Sequence, residues 1–182
     1  ATNCLFFLGN IQNLPFEDNF ADLLICLGVL HHLPTPCLDE VRKLRRFAPR
    51  LLVYLYYALD NRSPYFRMIL GLVSYLRLRL SKIHNSRFRT AFSKAASLFL
   101  YMPLVYIGRL LDRGGLGSYN PLYQAYRNSS ARRIEQDVYD RFFTSIEQRV
   151  VRKDILELGD VFSRVIVSEH IPYWHFLCER YH

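Results

Sequence analysis

Leu23-Leu24-Ile25-Cys26-Leu27 constrains the chain most: a continuous apolar run with Asp22 on one side and Gly28 on the other. A half-exposed strand alternates, whereas an unbroken run of this length reads as a strand covered on both sheet faces. Such strands belong to open α/β sheets, where ligands sit just beyond the carboxyl ends. Gly28, Val29, Leu30, His31 and His32 follow directly and occupy that position. A neutral imidazole there can act as a general base or hydrogen-bond an acceptor near pH 7. Adjacent loop residues point different ways, so at most one of His31 and His32 is expected to face a ligand. In the plainer reading one histidine packs beneath the loop against a backbone carbonyl. No Asp, Glu or Cys at ligand spacing accompanies the pair, and no metal site is expected.

The flanks supply neighbours for such a strand. Residues 4–8 (CLFFL) read as a further strand, and Asn10 suits the turn after it. Thr35 is placed to cap a helix whose first position suits Pro36, with Asp39 and Glu40 at its positive end. Leu38, Val41 and Leu44 give that helix a narrow apolar stripe, and Arg42, Lys43, Arg45 and Arg46 gather at its other end. Residues 51–57 (LLVYLYY) form the next strand. Val151, Ile155, Leu158 and Phe162 have helical spacing. Two closing strands follow, 164–168 and 173–178, joined by Glu169-His170-Ile171-Pro172, with Trp174 expected in the core. Cys4, Cys26, Cys37 and Cys178 are scattered without a CxxC pair, which favours free buried thiols over a disulfide scaffold or zinc site.

The words LPF, a short acidic turn, an apolar strand and then GVLHHLP resemble the middle of class I S-adenosylmethionine-dependent methyltransferases. The likeness runs from about residue 4 to 59 and again from about 139 to 180. It implies an α/β fold: the C-terminal part of a Rossmann-like methyltransferase sheet, with parallel strands ending in an antiparallel hairpin and a helical insertion. It divides the chain into a core of residues 1–60 and 139–182 and a basic, aromatic substrate cap of residues 61–138. It implies S-adenosylmethionine as cofactor in the complete protein, with Asn10, Ile11, Cys26, Leu27 and Gly28 as cofactor contacts. His31 and His32 are the implied catalytic pair. Tyr139, Asp140, Arg141 and Phe142 would line the acceptor pocket, joined by Tyr123, Tyr126 and Arg127 from the insertion.

The chain departs from the family at its start. No GxGxG turn follows a strand, and no acid ends a strand before Gly9. The residues therefore match from the family's third strand onward, and Ala1 stands where a complete protein has Met. The expectation is a piece of a longer methyltransferase, inactive alone, whose strands 4–8 and 23–27 lack neighbours.

Between residues 61 and 140 there are thirteen Lys/Arg against four acids, so the basic excess of the chain lies wholly in this segment. Residues 65–80 place Phe66, Ile69, Leu70, Val73, Leu76 and Leu80 on one helical face, with Arg67, Arg77 and Arg79 off it. Residues 91–111 read as one or two helices broken or kinked at Pro103, and 98–107 is too short to span a bilayer. Residues 113–118 form a flexible glycine connection unlike a phosphate loop, 121–133 is irregular or briefly helical, and 138–145 leads back to the core. The expected partner is a small-molecule acceptor, with a membrane surface as a further possibility and nucleic acid disfavoured. The expected location is the cytoplasm, with membrane association where the basic segment serves that role. Two other functions fit the same residues: a non-catalytic remnant acting as a binding module, and a peripheral membrane-surface binder working through the insertion.

Overall fold

A computed structural model describes residues 3–60, 64–168 and 174–181. The expected connection Glu169-His170-Ile171-Pro172, with Tyr173, and Asn61-Arg62 lie outside them. The chain divides into two units: Ala1–Asp60 with Ile146–His182, and Asn61–Ser145.

The first unit is α/β. Strands β1 (Leu24–Leu27), β2 (Arg50–Leu55), β3 (Arg164–Val167) and β4 (Trp174–Glu179) form one sheet in the order β1-β2-β4-β3. β1 and β2 run parallel, with Cys26 opposite Val53, and β4 lies antiparallel between β2 and β3. This mixed sheet is consistent with a partial Rossmann-like arrangement and has the antiparallel close that the sequence resemblance implies. One face carries Cys26, Leu51, Val53, Leu55, Trp174, Phe176 and Cys178, all buried. Helix α1 (Cys37–Leu44) adds Cys37, Val41 and Leu44 to the same core, and α7 (Arg152–Leu156) with the 3₁₀ turn after it adds Ile155 and Leu158. Three cysteines are free thiols in this core and Cys4 is exposed; burial pushes Cys178 up to about 12.

Several sequence expectations are corrected in this unit. Residues 4–8 form no strand, and Phe6 and Leu8 are almost wholly exposed. A strand exists only through a ladder partner, and none pairs with this run among the described residues. The 23–27 strand is covered on one face only: Cys26 is buried, but Ile25 and Leu27 are half exposed. Among the described residues it is an edge strand, paired to β2 alone. Thr35 does not cap α1; Pro36 takes that place without a side-chain bond, and the Thr35 hydroxyl accepts from Gln12 Nε2 at 2.9 Å.

The second unit is helical: α2 (Pro64–Leu80), α3 (Ser86–Ala96), α4 (Met102–Asp112), α5 (Pro121–Tyr126) and α6 (Ala131–Phe143). Its core is an aromatic seam of Tyr101, Val105, Tyr123, Tyr126, Ile134, Val138, Phe142 and Phe143. Pro103 neither breaks nor ends the helix that contains it. A π turn at Ser97–Tyr101 joins α3 to α4, with Met102 N–H donating to the Ser97 carbonyl. The widened turn accommodates the proline ring and its missing donor. Helical structure thus runs from Ser86 to Asp112, the one helix among the described residues long and apolar enough to cross a membrane by length and composition.

Gly108 is fixed by close approach, since a Cβ there would stand 2.2 Å from Tyr123 Cβ. Leu76 turns outward, unlike the rest of its predicted stripe. Arg77 is buried instead of solvated, because Nη1 donates to the Thr144 carbonyl at 3.2 Å and to that of Ser145 at 3.5 Å. Residues 139–145, expected to return the chain to the core, instead belong to this unit, with 139–143 finishing α6. The α6 stripe continues through Phe142 and Phe143, so the helix keeps burying apolar residues past the expected exit.

Candidate functional site

β1 ends at Leu27, and Gly28 turns the chain with φ of +75°, a conformation that glycine adopts without strain. The Gly28 N–H still donates to the Tyr54 carbonyl at 3.3 Å, and the Tyr54 ring lies under the space where a Cβ would stand. A short 3₁₀ turn, Leu30–His32, then places both histidines at the carboxyl ends of β1 and β2.

The two imidazoles occupy different environments. His31 is buried, its ring stacked on Tyr56 at 4.0 Å between centroids. Neither of its ring nitrogens has a hydrogen-bond partner among the described residues. Burial, helped by the charges of His32 and Arg149, pushes its pKa down from the ordinary 6.5 to about 3. His31 is therefore a neutral packing element at physiological pH. His32 is half-buried, and its Nδ1 lies 2.9 Å from the Ile146 carbonyl oxygen. A carbonyl only accepts, so Nδ1 carries the proton and the neutral ring leaves its lone pair on Nε2. Of the two, His32 has the chemistry of a base, and it is also the one that bonds a backbone carbonyl.

Around them stands an aromatic wall. Tyr54 and Tyr56 alternate on one side of the strand and its extension, as i and i+2 must. Tyr54 stacks on His175 of β4 at 4.8 Å, and the His32 and Tyr56 rings meet edge to face at 5.7 Å. Arg149 lies 5.4 Å over the Tyr56 ring, donates to the Tyr57 carbonyl at 3.1 Å and pairs with the buried Glu147 at 2.6 Å. Gln148 ties the loop down. Its N–H donates to the His31 carbonyl at 2.8 Å, its Nε2 donates to the carbonyls of Leu33 and Thr35 at 2.7 Å, and its Oε1 accepts from Cys37 N–H at 2.9 Å.

The predicted site residues are only partly brought together. Gly28, His31 and His32 share this place. Cys26 sends its side chain into the core, where burial raises the thiol, and Leu27 is half exposed on the other sheet face. Asn10 closes its own turn, accepting from Gln12 N–H at 3.0 Å. Ile11 lines a separate cavity of about 250 Å³ with Leu14, Lys43, Arg46 and Phe47, which Cys26, Leu27 and Gly28 do not line.

The predicted acceptor-binding residues all lie in the helical unit. Tyr123, Tyr126 and Phe142 are buried in its seam, and the Tyr123 hydroxyl donates to Asp112 Oδ2 at 2.8 Å. Tyr139 packs on Phe143, Asp140 and Arg141 stand on α6, and Arg127 follows α5. Sequence reasoning missed Tyr54, Tyr56, Glu147, Gln148, Arg149 and His175. The Tyr54-x-Tyr56 alternation within a strand was a usable signal; Gln148 and Arg149 act on partners about a hundred positions away and leave none.

A methyltransferase-domain family model matches residues 2–51, which span β1, the paired histidines and α1. No curated protein and no solved structure matches the chain. The matched stretch is class I methyltransferase-like, and the chemistry this indicates is methyl transfer. S-adenosylmethionine, which such domains typically bind, does not fit the residues described here as a closed pocket. Asn10 is engaged in its own turn, the Cys26 thiol faces the core, and the β1 edge with Ile25 and Leu27 stands open.

Proposed function

We propose that the chain supplies the acceptor-facing part of an S-adenosylmethionine-dependent methyltransferase of small molecules and is inactive alone. The observation that carries this reading is the histidine–tyrosine cluster at the carboxyl ends of β1 and β2, where open α/β sheets take their ligands. The tyrosines and His175 offer flat apolar surface to a ring-bearing acceptor, and His32 Nε2 accepts the proton that an attacking hydroxyl or amine gives up. His31 and Gln148 hold that loop in place and are positioning residues.

The cofactor side is incomplete. Titration calorimetry of the full chain with S-adenosylmethionine is expected to give no saturable heat, whereas low-micromolar binding would overturn the reading that the described residues form no cofactor pocket. The reading of His32 has its own test, a cluster-binding assay with phenolic and indolic probes followed by quenching of Trp174, the single tryptophan. His32→Ala is expected to weaken binding of a phenol about tenfold, the value of one well-made hydrogen bond in a partly desolvated site. Equal binding by the variant would remove His32 from the acceptor site.

A further inference from the structure

The helix Ser86–Asp112 is two-sided. Ser93, Ser97, Tyr101, Val105 and Gly108 turn inward and are buried in the aromatic seam of the helical unit. Nearly everything else on its second half is apolar and turned outward: Leu98, Phe99 (76% exposed), Leu100, Tyr106, Ile107, Leu110 and Leu111. Single exposed apolar residues need no explanation, but a contiguous run of this kind marks an interaction face. Beside it lies a groove of about 400 Å³ whose lining includes Leu98, Met102, Tyr106 and Ile134 together with Arg109 and Arg127. Arg109 Nη2 donates to the Arg127 carbonyl at 3.3 Å, and Arg113 caps the same helix one turn on. Residues 61–145 as a whole carry fourteen Lys/Arg against four acids.

Charge and apolarity together select the occupant. We propose that this outward face docks on an anionic lipid bilayer, with Phe99, Ile107 and their neighbours at the acyl boundary and Arg109, Arg113 and Arg127 at the phosphates. The helix lies in the interface plane instead of crossing it. Its inward stripe packs against α5 and α6, and α6 carries Arg132, Arg133, Glu135, Asp137, Asp140 and Arg141, whose transfer into hydrocarbon is too costly. A nucleic-acid partner would use the arginines but leave the apolar face in water. This proposal does not depend on methyl transfer and stands or falls separately from it.

The experiment is flotation of the full chain with phosphatidylcholine vesicles, with and without phosphatidylglycerol, at low and high salt. The chain is expected to float with the anionic vesicles and to be released substantially by salt. Phe99→Asp with Ile107→Asp is expected to abolish flotation at either salt. Arg109→Gln and Arg113→Gln are each expected to weaken it about fivefold on anionic vesicles only, which is about 1 kcal/mol per basic residue. Phe99→Ala with Ile107→Ala, which introduces no charge, is expected to weaken it partially, and circular dichroism confirms the fold of each variant. No flotation of the parent chain, flotation unchanged in the folded Asp or Ala variants, or salt-sensitive retention on an oligonucleotide without flotation overturns the proposal.

Discussion

The α/β unit and the helical unit place their apolar side chains in opposite ways. In the α/β unit Trp174, Phe176 and Phe162 are almost wholly sealed, and most of the exposed apolar groups lie on β1 and in the run before it. The helical unit seals a narrow seam and turns the longest helix's apolar side chains to solvent. Charge divides along the same line: residues 61–145 carry a surplus of ten positive charges, and the remainder of the chain has ten Lys/Arg against twelve acids. One unit is built to hold a loop rigid over a sheet, and the other to present a surface. Stability should therefore respond to truncation in the first unit and barely respond on the outer face of the second.

The largest expected effect comes from Phe176→Ala in the sealed core, a loss of about 4 kcal/mol in urea unfolding followed by Trp174 fluorescence. A cost below about 1 kcal/mol would mean that the core collapses around the gap and the contrast is weaker than drawn. Next is Gln148→Ala, which strands the carbonyls of Leu33 and Thr35 and the N–H of Cys37. About 3 kcal/mol is expected, measured in the same way.

Acidification is the third probe. His31 is held at about 3, below its ordinary 6.5, so the unfolded chain takes up a proton that the folded chain refuses. Its share of the stability is complete above pH about 6.5 and falls between there and about 3, by at most about 1.4 kcal/mol per pH unit. His31→Phe is expected to flatten that part of the profile, and an unchanged profile would assign the acid sensitivity elsewhere. The smallest effect is Phe99→Ala, expected to shift the thermal midpoint by an amount equivalent to less than about 0.5 kcal/mol. A larger loss would show that the outward face contributes to the fold.

Much of this arrangement was legible in local pattern. The helical threes of Leu38, Val41 and Leu44, the strand at Arg50–Leu55 and the closing antiparallel strands follow from periodicity and turn chemistry. Features set by distant partners were not legible. An apolar run such as 4–8 reads as a strand whether or not a ladder partner exists, and the 23–27 run says nothing of which sheet face is covered. Arg77 looked solvated because the carbonyls it bonds lie nearly seventy residues away. In the site, the histidine pair and its place beyond a strand were readable from residues 23–32. The division of labour between His31 and His32 was not, because it depends on Tyr56, Ile146 and Arg149.

That division is the centre of the account, and ¹⁵N imidazole spectra of the full chain recorded from pH 8 down to pH 4 test it most directly. The account predicts that His31 stays neutral throughout and that the neutral His32 ring holds its proton on Nδ1. Titration of His31 near pH 6.5, or a His32 ring protonated on Nε2 and bare on Nδ1, would contradict it.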